Sequence, residues 1–495
     1  MKHATLRLIC ALLAALMLTA ALAACADAEK PDDTTTEPVT TAATPDTTPE
    51  STELVPDVPD SDFGGHKFNV LTRGQYSQTW YSRDIYSDGS DGGYISVAVF
   101  RRNKKIEEKY HFEVVEIASQ EPHTTAKNSV ETGLDEYDMY CFRLKDHITS
   151  LITAGYLRDL RNVDYLDLDK PYYDQNSINS LSIGGKVFVV TGDLLTMDND
   201  ATRCVLFNKE LFEELALKET LGGNDLYKLT DDKKWTLEKM MLCSDAAVKN
   251  IDGNDVMDIN DRWGIVTEQF NALAFYNGAG KFLFEKDADD KPYFNGGDEA
   301  SLNTIEKVIT ALNSDSVRTF TNSYTEAMPQ FKDGLVLFFP CQLANVPLLR
   351  DMDFDFGILP TPLGSEDQER YYSPVTAYGS NCIAIPTSVQ DVGRAAIIIE
   401  ALSCESMYTV TPAYYDVTLY SKLVKDYEST RSLDIILSTA VFELGYMWNW
   451  GQAYGQITNA FNTNNPNLAA KFQSIKKVSA IEIKNLMDSI SKIKE

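Results

Sequence analysis

The sequence has little of the chemistry that metal centres and most hydrolytic or nucleotide-binding sites use. It contains five histidines and eight cysteines in 495 residues, without a CxxC pair or a spacing typical of a zinc site. It has no GxSxG motif, no P-loop, and no GxGxxG loop after a predicted strand. No motif therefore marks a catalytic centre. We expect no required cofactor, and we expect buried free thiols at the six cysteines after Cys25.

Basic residues and long apolar runs are also scarce. Lys and Arg number 45 against 73 Asp and Glu, which gives a formal net charge of −28. Loss of residues 1–24 removes Lys2 and Arg7 but no acid, which makes the charge −30. Such a charge argues against binding to nucleic acid or to a polyanionic ligand. After residue 24 no stretch approaches 18 apolar residues, so we expect the remainder to lie outside the bilayer.

The single long apolar run has the layout of a secretory signal peptide. Lys2 and Arg7 supply a basic start, and the run from Leu8 to Ala24 ends in the lipobox Leu22-Ala23-Ala24-Cys25. A lipobox predicts cleavage of a signal peptide at residues 1–24 and a diacylglyceryl lipid on Cys25. The chain is then anchored at the extracellular face of the cell membrane. The alternative is an uncleaved transmembrane helix, for which 17 residues are few.

Residues 25–62 are predicted to be a disordered tether that begins at the lipidated Cys25. They are rich in Thr, Pro, Asp and Glu and nearly free of large apolar side chains, so they cannot bury enough surface to offset the entropy of ordering. Proline keeps such a segment extended, and its acidic groups repel one another. From Phe63 onward the composition is globular, and about 430 residues are too many for one simple core. We therefore expect at least two lobes.

The folded part alternates between strand and helix patterns. Residues 66–72, 111–117 and 137–142 have the composition of strands, and residues 94–110 have an apolar stripe of helical period. A further helix is predicted from about residue 148. Strand, helix, strand and helix in this order predict an α/β fold with a parallel-type sheet.

Several short stretches occur in the order found in one family of transport proteins. They are FGGHKFNV at 63–70, FRRN at 100–103, LFNKEL at 206–211, YNGAG at 276–280, FKDG at 331–334, DFGILPTP at 355–362 and DQERYYSPV at 367–375. With the lipobox, they make the chain resemble an extracellular solute-binding protein of family 1. This family supplies the lipoprotein component of sugar-type ABC importers, and the similarity is strongest to the long, acidic members of gut Firmicutes.

The resemblance implies a two-lobed, periplasmic-binding-protein-like α/β fold with a hinge and a helical C-terminal tail. By analogy, lobe 1 holds residues 63–199 and 353–403. Lobe 2 holds residues 200–352 and 404–495, and the tail helices span the hinge. The resemblance also implies a monomer without enzyme activity that captures a carbohydrate, in our interpretation an oligosaccharide, between closing lobes. The loaded receptor then delivers it to the transmembrane subunits of an ABC permease.

Candidate ligand-binding residues follow from the chemistry of sugars. Aromatic rings suit the flat C–H faces, and Asp, Asn, Gln and Arg side chains suit the hydroxyl groups. Because any one Tyr or Trp is more often a core residue, we select few positions. Some follow a predicted strand or the hinge crossing, and the resemblance implies others at the end of the third strand, before the Gly278-Ala279-Gly280 turn and in YMWNWG. The candidates are Trp80, Tyr81, Tyr140, Arg143, Asp198, Asn199, Asp200, Gln269, Asn271, Gln342, Trp448 and Trp450. Two Trp residues two apart cannot share one face of a helix. We therefore expect one ring to stack on the ligand and the other to pack.

Residues 250–261, NIDGNDVMDIND, have the spacing of an EF-hand loop. Calcium in such a loop is held at positions 1, 3, 5, 7, 9 and 12, with a main-chain carbonyl at position 7. Here those positions are Asn250, Asp252, Asn254, Val256, Asp258 and Asp261. Asn at the first position and Asp instead of Glu at the last weaken the site. The loop predicts either a structural Ca²⁺ or a solvated acidic turn.

Other functions stay open at this point. A surface enzyme acting on glycosides needs two carboxylates across a cleft, and no motif singles out such a pair among the 73 acids. A passive adhesin or scaffold suits the tether and the acidity but leaves a two-lobed body unexplained. A receptor of the same fold could also take a peptide or another polar solute.

Overall fold

A computed structural model describes residues 53–74, 83–145, 148–320, 326–349, 351–419 and 427–493. The chain divides into two units, Met1–Glu53 and Leu54–Glu495, and the elements below belong to the second. Across these described ranges, no helix combines the length and the apolar character that crossing a membrane requires.

The strands form two larger sheets and two short pairs. They are β1 (His66–Thr72), β2 (Phe112–Ala118), β3 (Met139–Arg143), β4 (Arg203–Asn208), β5 (Trp263–Glu268), β6 (Phe284–Lys286), β7 (Pro292–Phe294), β8 (Val317–Phe320), β9 (Val336–Gln342), β10 (Phe356–Pro360), β11 (Ser373–Pro374), β12 (Asn381–Ala384) and β13 (Ala440–Val441). The first sheet has the order β12-β3-β1-β2, and the second has the order β10-β4-β9-β5-β8. The short pairs are β6 with β7 and β11 with β13.

Helices connect and cover these strands. They are α1 (Tyr94–Tyr110), α2 (Pro122–Thr132), α3 (Ile148–Thr153), α4 (Gln175–Leu181), α5 (Met197–Asp200), α6 (Lys209–Glu214), α7 (Leu217–Thr220), α8 (Leu226–Asp231), α9 (Leu237–Ala247), α10 (Asn271–Gly278), α11 (Glu299–Leu312), α12 (Met328–Lys332), α13 (Val392–Leu419), α14 (Tyr427–Ser438), α15 (Leu444–Trp448), α16 (Ala453–Asn462) and α17 (Ala469–Ile490). Short 3₁₀ turns occur at Leu160–Asn162, Leu343–Leu349 and Trp450–Gln452.

The first sheet forms because its strands alternate apolar side chains between two buried layers. In β1, Phe68 and Val70 belong to one apolar cluster and Leu71 belongs to another, as the two-residue period of a strand requires. β1 runs parallel to β2 and β3, and β12 is antiparallel to β3 with Asn381 opposite Arg143. The predicted alternation of strand and helix along the chain and the α/β class are confirmed.

Helix α1 covers this sheet as its sequence period predicts. Val99, Ile106 and Tyr110 are all buried, since residues three, four and seven apart lie on one stripe of a helix. The helix ends at Tyr110, and the C-cap residue His111 adopts a left-handed conformation with φ of 52°. Helix α13 packs along α1 on the same side of the sheet.

Two parts of the predicted lobe division differ from the structure. Strand β10 falls in the range 353–403 that was predicted for lobe 1, but it pairs with β4 as an edge strand of the second sheet. All of β10 is buried. Its FGILP sequence is apolar, its main chain pairs with β4, and helix α14 packs on it. Residues 404–419 were predicted for lobe 2, but they continue α13 and pack beside the first sheet, where Cys404 joins the same apolar cluster as Val70.

Three segments lie side by side between the two sheets. Thr202, just before β4, bridges to Val375, and β11 pairs in parallel with β13. These contacts bring together the chain before β4, the chain between β10 and β12, and the chain after α14. A few extended segments that join two layered bodies are the usual structural form of a hinge.

Candidate functional site

Polar side chains gather where strands of the two sheets end. Arg143 ends β3 in the first sheet, while Glu268 and Gln342 end β5 and β9 in the second. Arg203 begins the antiparallel strand β4 and lies opposite Gln342. Ligands of open α/β sheets bind beyond the carboxyl ends of the strands, so these residues locate the candidate site.

Arg203 is held rigidly within this site. Its guanidinium donates to Asn271 Oδ1 over 2.6 Å and lies 3.7 Å from a carboxylate oxygen of Glu268. Asn271 Nδ2 donates in turn to Thr267 Oγ1 over 3.0 Å. Because Asn271 is buried and fully engaged, it acts as a support for Arg203 and is not itself a ligand contact.

A pair of tyrosines and a lysine close the other side of the site. The rings of Tyr446 and Tyr454 lie 4.4 Å apart at 33°, and Lys145 Nζ lies 5.0 Å and 5.7 Å from their centroids. Lys145 also donates to the main-chain oxygen of Tyr446 over 2.7 Å. Burial lowers the pKa of Lys145. Since Lys145 follows β3 and both tyrosines belong to the C-terminal helices, this contact joins the first sheet to the tail.

Glu443 fixes the helix that carries Tyr446. Its carboxylate accepts from the main-chain N–H groups of Gly445, Leu283 and Phe284 and from Asn277 Nδ2, over 2.9 to 3.3 Å. Burial raises the pKa of Glu443 to about 7. The carboxylate therefore attaches the start of α15 to the chain around β6.

Between these groups the structure leaves a narrow space. A cavity of about 20 Å³ is lined by Arg203, Phe270, Thr376, Tyr446 and Tyr454 among others. This volume is close to that of a single water molecule, so a sugar ring enters only when the two sheets move apart.

Three of the predicted residues lie at strand ends. Arg143 places its guanidinium carbon 4.2 Å from the centroid of Tyr378, and Gln342 is opposite Arg203. Gln269 follows β5 and accepts from Asn462 Nδ2 over 2.6 Å.

Tyr140 occupies a different place from the one predicted. It is only 1% exposed, and its hydroxyl donates to the main-chain oxygen of Ala126 over 3.2 Å. Its ring packs between Tyr137 and Phe142. Tyr140 points from β3 into an apolar layer, so its role is in the core, which corrects its prediction as a ligand contact.

The two tryptophans of YMWNWG stack on each other, with ring centroids 5.2 Å apart at 10°. The prediction that both residues lie on one helix is wrong: α15 ends at Trp448 and Asn449 turns left-handed with φ of 51°, so the two rings can face each other. Trp450 is 4% exposed and packs 5.1 Å from Phe284. Trp448 is only partly buried, and its indole Nε1 has no hydrogen-bond partner among the described residues.

Asp198, Asn199 and Asp200 lie on α5 and not with the tyrosine pair. Asp198 and Asn199 line a second cavity of about 500 Å³, which shares no lining residue with the small cavity. Asp200 accepts from the hydroxyl of Tyr414 over 3.0 Å, and burial raises its pKa to about 7. The single helical turn of α5 places these residues beside α13, so the structure does not bring them together with the tyrosine pair, and their role as ligand contacts stays a prediction.

Three predicted residues lie outside the described ranges. They are Trp80 and Tyr81, which follow β1 in the sequence, and the proposed lipidation site Cys25. Their roles stay predictions.

Sequence reasoning missed Lys145, Tyr446, Tyr454 and Glu443. Lys145 follows the end of β3 by two residues, and Tyr446 lies inside YMWNWG, so the rule that selected Arg143 and the tryptophans could have included both. No sequence signal marks Tyr454 or Glu443, because their positions depend on how the tail helices fold back.

The loop at 250–261 forms a series of Asx turns. Asp252, Asn254 and Asp258 each accept from the main-chain N–H two residues later. Both oxygens of the buried Asp261 accept, one from Ile251 N and one from Asp258 N. No group of three or more His, Cys, Asp or Glu side chains in the described ranges could hold a metal ion. Calcium binding therefore requires these donors to exchange their main-chain partners, and it stays a prediction.

No model of a known protein family matches the sequence, and no curated protein is significantly similar to it. Solved structures do match. The galacto-N-biose-/lacto-N-biose I-binding protein of an ABC transporter from Bifidobacterium longum, in complex with lacto-N-biose, has a TM-score of 0.55 and 13% identity. The match covers 86% of this chain and 99% of that chain.

Two further structures give a similar result. RafE from Streptococcus pneumoniae in its apo form has a TM-score of 0.54 and 14% identity, over 85% of this chain and 98% of that chain. The maltose/maltodextrin-binding domain MalE from Bdellovibrio bacteriovorus, bound to maltotriose, has a TM-score of 0.51 and 14% identity. This match covers 84% of this chain and 100% of that chain. The chain therefore has the two-lobed, periplasmic-binding-protein-like α/β fold of these proteins.

Proposed function

We propose that this protein is a family 1 extracellular solute-binding protein that captures a carbohydrate, preferably an oligosaccharide, between its lobes and delivers it to an ABC permease. One observation carries the proposal. Lys145, which follows a strand of the first sheet, contacts the Tyr446–Tyr454 pair, and this pair lines one small cavity with Arg203 of the second sheet. The similar structures in complex with lacto-N-biose and maltotriose support a sugar as the solute.

The chemistry of the site suits a neutral hydroxylated ligand. The faces of Tyr446 and Tyr454 can stack on sugar C–H surfaces, and Gln269, Gln342 and Arg203 offer hydrogen bonds to hydroxyl groups. Opening at the three-segment hinge admits the sugar, and closure surrounds it. Only the closed, loaded form then presents the surface that the permease recognises.

The carboxylates of the site favour a receptor over a glycoside-cleaving enzyme. Glycoside hydrolysis needs one carboxyl group as an acid and a second as a base or nucleophile. Here Glu268 pairs with Arg203, and Glu443 accepts four hydrogen bonds. Both carboxyl groups therefore stabilise the structure around the site, which leaves neither available as the catalytic acid or base.

The test is isothermal calorimetry of the mature chain on a panel of oligosaccharides and peptides, with product analysis of each mixture. We expect saturable binding of one glycan class without turnover. Released monosaccharide contradicts the receptor assignment, and binding of peptides alone contradicts the carbohydrate assignment.

We also propose that a lipid on Cys25 holds the protein, as a monomer, at the outer face of the membrane. Serine cannot form the thioether bond, so Cys25→Ser should move the protein from the membrane fraction to the medium. A Cys25→Ser variant that stays in the membrane and keeps its first 24 residues contradicts the proposal.

A further inference from the structure

The hairpin formed by β6 and β7 is attached to the lobe of the second sheet. At its base, Glu443 accepts from the main-chain N–H groups of Leu283 and Phe284, and it also accepts from Asn277 of α10. The first residue of α10 donates in turn to Thr267 of β5, a strand of the second sheet. We therefore expect the hairpin to move with the second sheet when the lobes separate.

Helix α4 and the chain that follows it are attached to the lobe of the first sheet. Val190 forms two main-chain hydrogen bonds with Ile383 of β12, over 2.8 and 3.1 Å. Val187 and Ile178 of α4 are buried in the same apolar cluster as Val70 of β1. This segment therefore moves with the first sheet, so any contact between it and the hairpin joins the two lobes.

Lys286 of β6 makes three hydrogen bonds across this boundary. Its Nζ donates to the main-chain oxygens of Asn179 and Ser182, over 2.5 and 3.1 Å, and to Ser182 Oγ over 2.7 Å. The same ammonium group lies 2.6 Å from Asp290 Oδ1. Because the side chain of Lys286 is only 16% exposed, salt screens these contacts less than it screens a surface ion pair.

Asp290, in the turn of the hairpin, makes three further contacts with the same segment. Its Oδ1 accepts from Ser182 Oγ and its Oδ2 accepts from Gly185 N, each over 3.0 Å. Its main-chain oxygen accepts from Gly184 N over 2.9 Å. Ser182 Oγ thus accepts from Lys286 and donates to Asp290, so the three side chains form one hydrogen-bonded network.

This network forms entirely between groups of the chain itself. None of Lys286, Ser182 and Asp290 lines the small cavity of the candidate site, so the contacts between them need no solute. The small cavity, of about 20 Å³, admits a sugar only when the sheets move apart. That movement separates the hairpin from the segment after α4 and breaks the network.

We propose that Lys286, Ser182 and Asp290 form a clasp that holds the two lobes together before any solute binds. The solute enters only while the clasp is open. Because the clasp stabilises the closed form with and without solute alike, it slows both entry and release and changes the Kd little. The effect on solute kinetics rests on the proposed function, whereas closure of the unloaded protein does not.

The first test is small-angle X-ray scattering of the mature chain without sugar, for the parent and for the double variant Lys286→Met with Asp290→Asn. Methionine keeps most of the lysine stem, and asparagine tolerates the left-handed conformation of Asp290, whose φ is 57°. We expect a larger radius of gyration for the double variant, together with cooperative unfolding in urea, which excludes loss of the fold as the cause. Equal radii for the two proteins overturn the proposal.

The matched control is Lys228→Met with Asp232→Asn. This pair has the same spacing of four residues and a distance of 2.7 Å, but it is exposed at the end of α8. We expect the parent's radius of gyration for the control. An increase as large as that of the clasp variant would mean that loss of any such ion pair expands the protein, which overturns the proposal.

The second test is stopped-flow kinetics with a sugar found by calorimetry. In the clasp variant the association and dissociation rate constants should both rise roughly 10- to 100-fold, as expected for the loss of charged hydrogen bonds, while the Kd changes no more than a few-fold. Unchanged rate constants overturn the role of the clasp in solute entry. If no sugar binds, the proposed function fails, and the scattering measurement without sugar still decides whether the clasp exists.

Discussion

At the scale of single residues, the stacked tryptophans have different tasks. Trp448 is partly exposed, and its indole N–H has no hydrogen-bond partner in the part of the chain that the structure describes. If its ring stacks on the sugar, Trp448→Ala should weaken sugar binding 5- to 150-fold, or about 1–3 kcal/mol. Trp450 packs on Phe284 in the core, so Trp450→Ala should reduce the free energy of unfolding by about 3–5 kcal/mol. Calorimetry and urea unfolding measure the two effects separately.

Each variant controls for the other. If Trp448→Ala binds the sugar as tightly as the parent protein, Trp448 does not contact the ligand. If Trp450→Ala unfolds at the parent's urea midpoint, the tryptophan does not pack as the structure shows.

The local sequence shows which residues lie at the end of a strand, but it does not show in which direction their side chains point. The positions of Arg143 and Gln342 at a sheet edge were predictable because each ends an apolar strand, and their role as ligand contacts stays a prediction. Tyr140 was misassigned because an aromatic residue near a strand end looks the same whether it points into the core or beyond the edge. The tryptophan stack depends on the left-handed conformation of Asn449, which a helical pattern does not reveal.

At the scale of elements, the carboxylates of the acidic loop at 250–261 have two possible roles, which are to bind calcium and to accept hydrogen bonds from the main chain. If it binds calcium, millimolar calcium should raise the melting temperature by mass action on the native state. Asp252→Ala and Asp258→Ala should abolish that rise. Asp261→Ala should lower the melting temperature even without calcium, because its buried carboxylate satisfies two main-chain N–H groups.

Differential scanning fluorimetry with calcium and with a chelator distinguishes the outcomes. An identical melting curve in both conditions leaves the solvated acidic turn as the role of this loop. A normal melting temperature for Asp261→Ala contradicts the hydrogen bonding described here.

Most element boundaries were predictable, whereas sheet membership was not. The helix at 94–110 and the strand at 66–72 follow from period alone, and both match the structure. Strand β10 is equally clear as a strand, but its partner β4 lies about 150 residues earlier. Pairing over that distance depends on the assembled sheet and leaves no local pattern.

At the scale of the whole molecule, the alternating strands and helices form two lobes. Two separate cavities, of about 20 and about 500 Å³, lie between elements of both lobes. Arg203, the tyrosine pair and Glu443 line the small cavity, and four carboxyl groups, with no basic residue in the described lining, line the cavity formed with α13 and α14. This separation of charge is invisible in the composition, which shows only a net charge of −28. A resemblance in motif order was therefore needed to predict the architecture.

The acidity also predicts how stability depends on pH. Burial raises the pKa of Asp193 to about 6, and those of Asp200 and Glu443 to about 7, from ordinary values of 3.8 for Asp and 4.5 for Glu. Between pH 4.5 and 7 the folded protein therefore holds protons that the unfolded chain has released. Stability must fall as pH rises through this window, by up to about 1.4 kcal/mol per pH unit for each such group.

We expect the free energy of unfolding by urea to be larger at pH 5 than at pH 7.5. Carboxyls with a lowered pKa, such as Asp261 and Asp298, give the opposite slope only below their ordinary range, near pH 4, so they leave this window unaffected. In the variant Glu443→Gln this side chain is neutral in the folded and in the unfolded protein. The free energy of unfolding should therefore fall less steeply with pH than in the parent. A stability that is constant or rises from pH 5 to 7.5 would show that these carboxyls ionise normally, and that the burial described for them does not hold in solution.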